Sequence, residues 1–313
     1  MSDVLKRYGT VVVLGVVMVT FSILQPRAFM TMGNLLSVSR QISLLVIIAL
    51  GATVVMVVDE FDLSIGAVAS FAGILYALLS QSGMPLFAAF LLTLCASALF
   101  GLINGFLVTH FGILSFITTL ATGTLLGGVT FAICDGATIF HNLPKAFTTM
   151  GTMTFGSARI PLLSLIMLAL CVVVWYFLSR MVAGRELYAI GGNRTAAWMC
   201  GLGVKRGTCL AFSLSSVFAA LGGMLLASRL GSASPSAGDA YFLKAYATVF
   251  LGRTVSEEGV PNVWGTFVGA AILGVIANGL TILQIPSWVQ DVLTGCIIII
   301  AIIAQKRLGP KEE

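Results

Sequence analysis

The chain has 313 residues, of which 58% are hydrophobic and only 9% are charged, and its mean hydropathy is +1.04. A soluble domain carries about 25% charged residues, so this composition excludes a water-soluble globular protein. Backbone groups inside a bilayer must be hydrogen-bonded internally, and therefore only helices or closed barrels span it. The unbroken apolar runs at 44–58 and 297–304 lack the alternation of barrel strands. They predict an all-α polytopic membrane protein.

The apolar runs predict about ten transmembrane helices, since each span needs about 20 mostly apolar residues. The first run follows Lys6 and Arg7 as in a secretory signal, but no small-residue cleavage site comes after it, and further spans follow directly. The whole chain, 1–313, is therefore interpreted as a single transmembrane domain. The predicted spans are 9–25, 40–58, 64–80, 85–109, 112–134, 160–182, 208–228, 240–252, 263–283 and 287–304.

The net charge is +5, which has two interpretations, a nucleic-acid-binding surface or the cytoplasmic bias of a membrane protein. With the N-terminus placed in the cytoplasm, most of the Lys and Arg residues fall on the cytoplasmic side, and the segment 180–206 contributes most of this bias. That distribution follows the positive-inside rule. It predicts that both termini are cytoplasmic, that the number of spans is even, that 184–206 is a cytoplasmic loop, and that nucleic acid is not a partner.

Three short patterns recur at offsets of 171 to 174 residues. Chance matches in a chain rich in Gly and Leu are one explanation. A true repeat would pair spans 2–5 with spans 7–10, and five spans would then separate each pair, so the two halves would be inverted. Inverted repeats are typical of transporters, with the substrate path near the repeat interface. The recurring patterns are 49–51 with 220–222, Asn104-Gly105 with Asn278-Gly279, and 122–123 with 294–295.

Glycines spaced four apart, at 101 and 105, 123 and 127, and 265 and 269, predict helix-packing seams within the subunit. Asn104 and Asn278 lie inside apolar runs, where an unpaired amide is costly. Each therefore either makes an interhelical hydrogen bond or lies on a substrate pathway.

The acidic stretch 59–66 lies between spans 2 and 3. It is interpreted as a solvated loop, as a helix start capped by Asp62 or Ser64, or as a broken-helix element of a pathway or its gate. The last interpretation adds Asp62 and Ser64 to Asn104 and Asn278 as candidate pathway or gate residues.

The cytoplasmic loop 184–206 contains signals for one short helix. Gly191 and Gly192 predict a turn, Asn193 is a favoured N-cap residue, and Gly201 is placed to end the helix as its C′ residue. A helix of about seven residues is marginal in water by itself. The loop is therefore expected to need a partner surface.

Neither a metal site nor an enzyme site is predicted. The six cysteines are scattered without a C-x-x-C pair, and there are only two histidines. The motifs G-x-x-x-x-G-K-[ST], H-E-x-x-H and G-x-S-x-G are absent, so we expect no cofactor, no catalytic residue and no internal ATPase. An ion-coupled transporter is the main alternative, but the centres of the spans are nearly free of the ionisable residues that ion relays use.

The segment 184–201, with the pattern G-R-x-x-Y-A-I-G-G-N-x-x-A-A-x-x-x-G, resembles the cytoplasmic loop of ribose-type permeases of ABC sugar importers. The segment 62–66 (D-L-S-I-G) and the patterns at 101–109 and 264–280 are similar to the same family, in order along nearly the whole chain. This resemblance implies a membrane-spanning permease subunit for a monosaccharide or sugar-like solute in the bacterial inner membrane.

The resemblance also implies partners: a cytoplasmic ABC ATPase, a periplasmic sugar-binding protein and a second permease subunit, identical or different. The loop would dock on the ATPase, as it does in the family. The sugar itself is not identified by the sequence. The residues to which the resemblance assigns docking are Gly184, Arg185, Gly191, Gly192, Asn193, Ala196, Ala197 and Gly201.

The chain departs from the family pattern in two places. Asp59, Glu60 and Phe61 stand where the family usually has Gly-Gly-Ile, and 252–259 carries charges in place of a glycine-rich segment. Both departures concern gating and the choice of partner, and neither changes the predicted fold.

Overall fold

The chain is built almost entirely from helices, with one short hairpin, in a computed structural model that describes residues 3–253 and 259–308. The strands β1 (Thr154–Phe155) and β2 (Ile160–Pro161) pair antiparallel, and a 3-10 turn covers Lys145–Thr148. The helices are α1 (Asp3–Leu24), α2 (Met32–Val57), α3 (Ile65–Gln81), α4 (Leu86–Phe111), α5 (Ser115–Ile133), α6 (Thr149–Thr152), α7 (Leu162–Arg180), α8 (Val182–Gly192), α9 (Arg194–Met199), α10 (Val204–Leu230), α11 (Asp239–Arg253), α12 (Val263–Ile282) and α13 (Ser287–Leu308).

Each of the ten predicted spans coincides with one helix. Within the described residues, six helices are long and apolar enough to cross a membrane, namely α2, α4, α5, α7, α10 and α12. The apolar part of α1 and the whole of α3 are shorter apolar helices. The chain is thus a helical, multi-pass membrane protein.

Helix α2 begins eight residues before the predicted span. Its first turns contain polar residues that lie outside the predicted span, but these side chains find partners inside the fold. Asn34 exchanges amide hydrogen bonds of 2.9 Å with Asn278 of α12. Ser39 is hydrogen-bonded to Ser164 of α7 at 3.0 Å. Because these groups are satisfied by other helices, polarity does not end the helix here.

Several helix ends follow directly from their local sequence. The side chain of Asn262 accepts a hydrogen bond of 2.7 Å from the Gly265 N–H, which caps the start of α12. Helices α4 and α10 end at Gly112 and Gly231, whose φ angles are 68° and 66°. This left-handed conformation is the usual helix stop, and it favours glycine.

Helices α2 and α10 form the centre of the bundle. Helix α10 packs along α2, α3 and α4. The apolar window of α2 is 89% buried, whereas that of α4 is only 22% buried. The outer helices α4, α5 and α7 expose large apolar side chains over their length. An apolar surface of this extent is unsuited to water and matches the hydrocarbon of a bilayer.

Two of the three predicted glycine seams are confirmed by close backbone contact. A Cβ on Gly101 or Gly105 of α4 would collide with the backbone of α10. Gly265 and Gly269 of α12 pack in the same way against α11. In the third pattern Gly123 contacts Ser64, while Gly127 has open space around the position of a Cβ.

We expect Gly101→Ala to lower the free energy of unfolding by about 1–3 kcal/mol, because the added methyl group forces α4 away from α10. Thermal denaturation in detergent measures the effect. The matched control is Gly127→Ala, which has room for its methyl group and improves helix propensity by about 1 kcal/mol. Equal melting temperatures for the two variants would contradict the seam.

Candidate functional site

Asp62, in the connection between α2 and α3, is fully buried. One carboxylate oxygen accepts hydrogen bonds from the Ser64 N–H (3.0 Å) and from the Ser64 hydroxyl. The other accepts a hydrogen bond of 2.7 Å from the Ser215 hydroxyl of α10. A buried carboxylate is tolerated only with such donors. The interpretation of this stretch as a solvated loop is therefore wrong.

The backbone of the connection is also held by neighbouring helices. The Tyr246 hydroxyl of α11 accepts a hydrogen bond of 2.6 Å from the Asp62 N–H and donates one of 3.0 Å to the Asp62 carbonyl. The Leu63 N–H donates to the Thr119 hydroxyl of α5 at 2.9 Å. Ser64 occupies the N-cap position of α3, but its side chain makes no capping hydrogen bond. The capping prediction is wrong for Ser64, because its hydroxyl donates to the Asp62 carboxylate and does not accept from the helix.

Asn104 of α4 completes this cluster. Its Nδ2 donates to the Ser64 hydroxyl at 3.0 Å, and its Oδ1 accepts a hydrogen bond of 2.7 Å from the Thr122 hydroxyl. We call the set Asp62, Ser64, Asn104, Thr119, Thr122, Ser215 and Tyr246 the Asp62 network. Three of the four candidate pathway residues therefore come together.

The fourth candidate, Asn278, lies apart from the Asp62 network and pairs with Asn34. Ser215 and Tyr246 were missed by the sequence analysis, since α10 contains several serines and nothing local distinguishes Ser215 from the others. Only the pairing of α10 with the connection identifies it.

Two adjoining cavities lie beside the network. One of about 290 Å³ is lined by aromatic side chains, among them Phe61, Phe116 and Tyr246. The other, of about 350 Å³, has Thr124 and Asp239 among its lining residues. Leu63 and Phe242 line both cavities.

The loop 184–206 is formed by helices α8 and α9 and the first turn of α10. The Asn193 side chain accepts a hydrogen bond of 2.9 Å from the Ala196 N–H, and Gly201 has a φ of 80°. The predicted short helix, its cap and its stop are thus confirmed. The predicted turn at Gly191 and Gly192 is wrong, because both belong to the end of α8. Leu187 and Ile190 of the same helix are buried, and their packing keeps the chain helical as far as Gly192.

The candidate docking residues divide into two groups. Gly184, Gly191 and Ala197 pack inward, and a Cβ on either glycine would collide with the backbone of α7 or of α2. The exposed group is Arg185, Gly192, Asn193, Ala196 and Gly201.

The sequence analysis missed two other exposed residues of this loop. Trp198 is 68% exposed and Met199 is 74% exposed on α9. Large apolar side chains in a charged loop were the signal that would have identified them.

A single ion pair connects α9 to the α2–α3 connection. Arg194 Nη1 lies 2.6 Å from Glu60 Oε1. Glu60 belongs to the segment in which the chain departs from the family pattern. Of the other departure, only Gly252, Arg253 and Gly259 lie within the described residues; 254–258 lie outside them.

Asp59 occupies a position that favours glycine. The Glu60 N–H donates to the Val55 carbonyl and the Asp59 N–H donates to the Met56 carbonyl, each at 3.2 Å, which closes the end of α2. This is the Schellman arrangement, with Asp59 at C′ and a φ of 59°.

Comparison with known proteins agrees with this architecture. Residues 34–302 match the family described as the permease component of the branched-chain amino acid transport system. The chain belongs to this family. It is a transport permease rather than an enzyme.

Several curated relatives are similar to this permease over most of its length. The ribose import permease protein RbsC of Bacillus subtilis is 36% identical, covering 97% of this chain and 94% of its own. RbsC of Haemophilus influenzae is 35% identical, covering 91% of this chain and 88% of its own. The D-allose transport system permease protein AlsC of Escherichia coli is 32% identical, covering 95% of this chain and 90% of its own. No solved structure matches the chain.

We expect Asp62→Ala to lower the free energy of unfolding by about 1–3 kcal/mol, because it leaves buried donors without an acceptor. Asp62→Asn is expected to cost less, since the Ser215 hydroxyl can rotate to accept from the new amide. Thermal denaturation in detergent compares the variants. The control is Ser97→Ala, which removes a buried hydroxyl that has no hydrogen-bond partner and is expected to be near neutral.

Asp59→Gly is expected to raise the free energy of unfolding by up to about 1–2 kcal/mol, because a left-handed conformation strains a residue with a Cβ. Asp59→Val is expected to lower it, since a branched Cβ tolerates this conformation poorly. Denaturation midpoints of the two variants measure the difference. A lower midpoint for the glycine variant would show that the Asp59 charge stabilises the fold more than its conformation strains it.

Proposed function

We propose that this chain is the membrane-spanning permease subunit of an ATP-driven importer for a monosaccharide or sugar-like solute. The relatives named for ribose and D-allose import match it over nearly its full length. The chain carries no phosphate-binding loop of its own. The motor is then a separate cytoplasmic ABC ATPase, and a periplasmic sugar-binding protein delivers the solute.

The structural observation that carries this proposal is the surface of α9. A six-residue helix is too short to be stable by itself in water, yet this one is capped by Asn193 and anchored by the buried Ala197. It presents Trp198 and Met199 outward. Trp and Met are enriched in the cores of protein interfaces. These features support α8 and α9 as the coupling loop that docks on the ATPase, within a single permease domain covering 1–313.

We infer that the Asp62 network is part of the gate. Asp62, Ser64 and Asn104 are fully buried, which suits a closed constriction better than the wall of an open channel. The hydrogen bonds join the α2–α3 connection to α4, α5, α10 and α11. A relative movement of these helices would open the network, and Asn278, paired with Asn34, would lie on another part of the pathway.

The two cavities beside the network support a solute path there. Ligand sites are typically apolar and aromatic clefts with a few polar groups, and these cavities combine Phe61, Phe116 and Phe242 with Thr124 and Asp239. Together they are large enough for a single sugar ring.

The orientation and the internal repeat belong to the same proposal. With the coupling loop in the cytoplasm of a bacterial cell, both termini are cytoplasmic and all ten spans cross the inner membrane. The packing supports an inverted repeat, because α4 packs along α10 while its counterpart α12 packs along α2. A second permease subunit, identical or different, would complete the pathway.

The family description and the relatives name different solutes. The family is described by branched-chain amino acid transport, whereas the relatives are named for sugars. Uptake of labelled ribose, allose and leucine into cells that carry or lack this chain separates the two classes. Uptake of leucine alone would show that the solute is an amino acid and not a sugar, and the proposed importer architecture would still stand.

The ion-coupled alternative also has a test. Asp62 is the buried carboxyl on which such a transporter would depend. Uptake that stops with an uncoupler and survives ATP depletion would favour it. Uptake that follows ATP supports the importer.

We expect affinity purification of this chain from its native membrane in a gentle detergent to recover an ABC ATPase, identified by mass spectrometry. Trp198→Ala is expected to reduce that recovery about tenfold or more, as truncation of a central interface aromatic typically does. The matched control is Trp288→Ala on α13, because both tryptophans are 68% exposed.

Equal recovery with Trp198→Ala and Trp288→Ala would contradict docking through α9. Failure of the unmodified chain to recover any ATPase in several detergents would contradict the importer itself.

A further inference from the structure

The ion pair between Glu60 and Arg194 connects the two functional regions of the chain. Arg194 is the first residue of α9, and Glu60 stands two residues before Asp62. The Glu60 side chain is only 11% exposed, whereas the Arg194 side chain is 48% exposed. The bond therefore runs from the exposed coupling loop into the buried connection between α2 and α3.

Both ends of this pair are attached to rigid structure. On one side, the Glu60 N–H closes the end of α2, and the next backbone groups are held by Tyr246 and Thr119. On the other side, the Asn193 cap fixes the first turn of α9. A displacement of α9 is therefore not absorbed by a flexible linker at either end.

A second contact lies beside the first. Gly191, at the end of α8, packs against the Val57 carbonyl so closely that a Cβ would collide with it. The coupling loop thus touches the end of α2 twice, once through backbone packing and once through a charged hydrogen bond. Backbone packing transmits a push, whereas the ion pair also transmits a pull.

The next residue after Glu60, Phe61, contacts a different element. Phe61 packs on Tyr246 and Phe250 of α11, with ring centroids 5.7 and 6.3 Å apart. Glu60 and Phe61 therefore hold the connection between α9 on one side and α11 on the other.

We propose that Glu60 and Arg194 are positioning residues that transmit the displacement of α9 to the Asp62 network. The proposal rests on the proposed function, since a docked ATPase supplies the displacement. A partly exposed ion pair contributes little to stability, so its place between a docking surface and a buried network is better explained by coupling. A pull on Glu60 acts directly on the backbone that presents Asp62 and Ser64.

Hydrogen–deuterium exchange of the purified complex tests this coupling. The amides of Asp62, Leu63 and Ser64 are bonded within the network, so a peptide covering 59–65 reports its opening. ATP with vanadate is expected to change the exchange of this peptide in the unmodified complex. Glu60→Gln and Arg194→Ala are each expected to reduce that change by about threefold to tenfold, with the ATPase still bound and exchange in α12 unaltered.

Two further variants separate coupling from a structural defect. The double exchange Glu60→Arg with Arg194→Glu restores the opposite charges and is expected to restore the response, as is the conservative Arg194→Lys. The matched control is Arg180→Glu, a charge reversal at an exposed residue of α7 outside the pair, which is expected to leave the response unchanged.

The proposal is overturned if the unmodified complex contains the ATPase but the peptide does not respond to nucleotide. It is also overturned if Glu60→Gln and Arg194→Ala respond like the unmodified complex, or if neither Arg194→Lys nor the charge exchange restores the response. A chain that recovers no ATPase at all overturns the proposed function first, and this inference with it.

Discussion

The burial of one carboxyl group determines how the centre of this molecule is arranged. Asp62 lies among apolar helices, where an ion is costly unless its oxygens are hydrogen-bonded. Its donors are Ser64, which lies in the same connection, and Ser215 of α10, while Tyr246 of α11 holds its backbone and Asn104 of α4 holds Ser64. The α2–α3 connection must therefore meet α4, α10 and α11 at one point. The helix arrangement is specified by polar contacts there and by apolar packing elsewhere.

These contacts require helices that approach closely. Helix α10 reaches Asp62 through Ser215, a position where Gly51 of α2 allows the backbones to touch. Gly223, two turns further along α10, similarly leaves room for the carbonyl of Ala69 on α3. Without a hydrophobic force between helices in lipid, such small residues are what allow close packing. The glycines and the polar network therefore depend on each other, because the network forms only when the backbones are this near.

Local patterns predicted a helix at each of the ten long apolar runs, and also the short capped helix α9, because apolar run length and an Asn residue at a helix start act over a few residues. The burial of Asp62 was not predictable in the same way. Its partner Ser215 lies 153 positions away, and the stretch 59–66 alone has the composition of a solvated loop. The turn predicted at Gly191 failed for a related reason, since packing of Leu187 and Ile190 outweighs the low helix propensity of glycine. Tertiary contacts decided each of these cases.

The anchoring of α9 has a consequence for recognition. Ala197 is buried and Asn193 closes the first turn, so Trp198 and Met199 are presented by a helix that is already folded. A partner that meets this surface has no backbone to order, and the entropy lost on binding is confined to a few side chains. Association can then proceed as a rigid-body encounter, limited by diffusion and orientation. A preorganised surface of this kind would suit the ATPase docking proposed above.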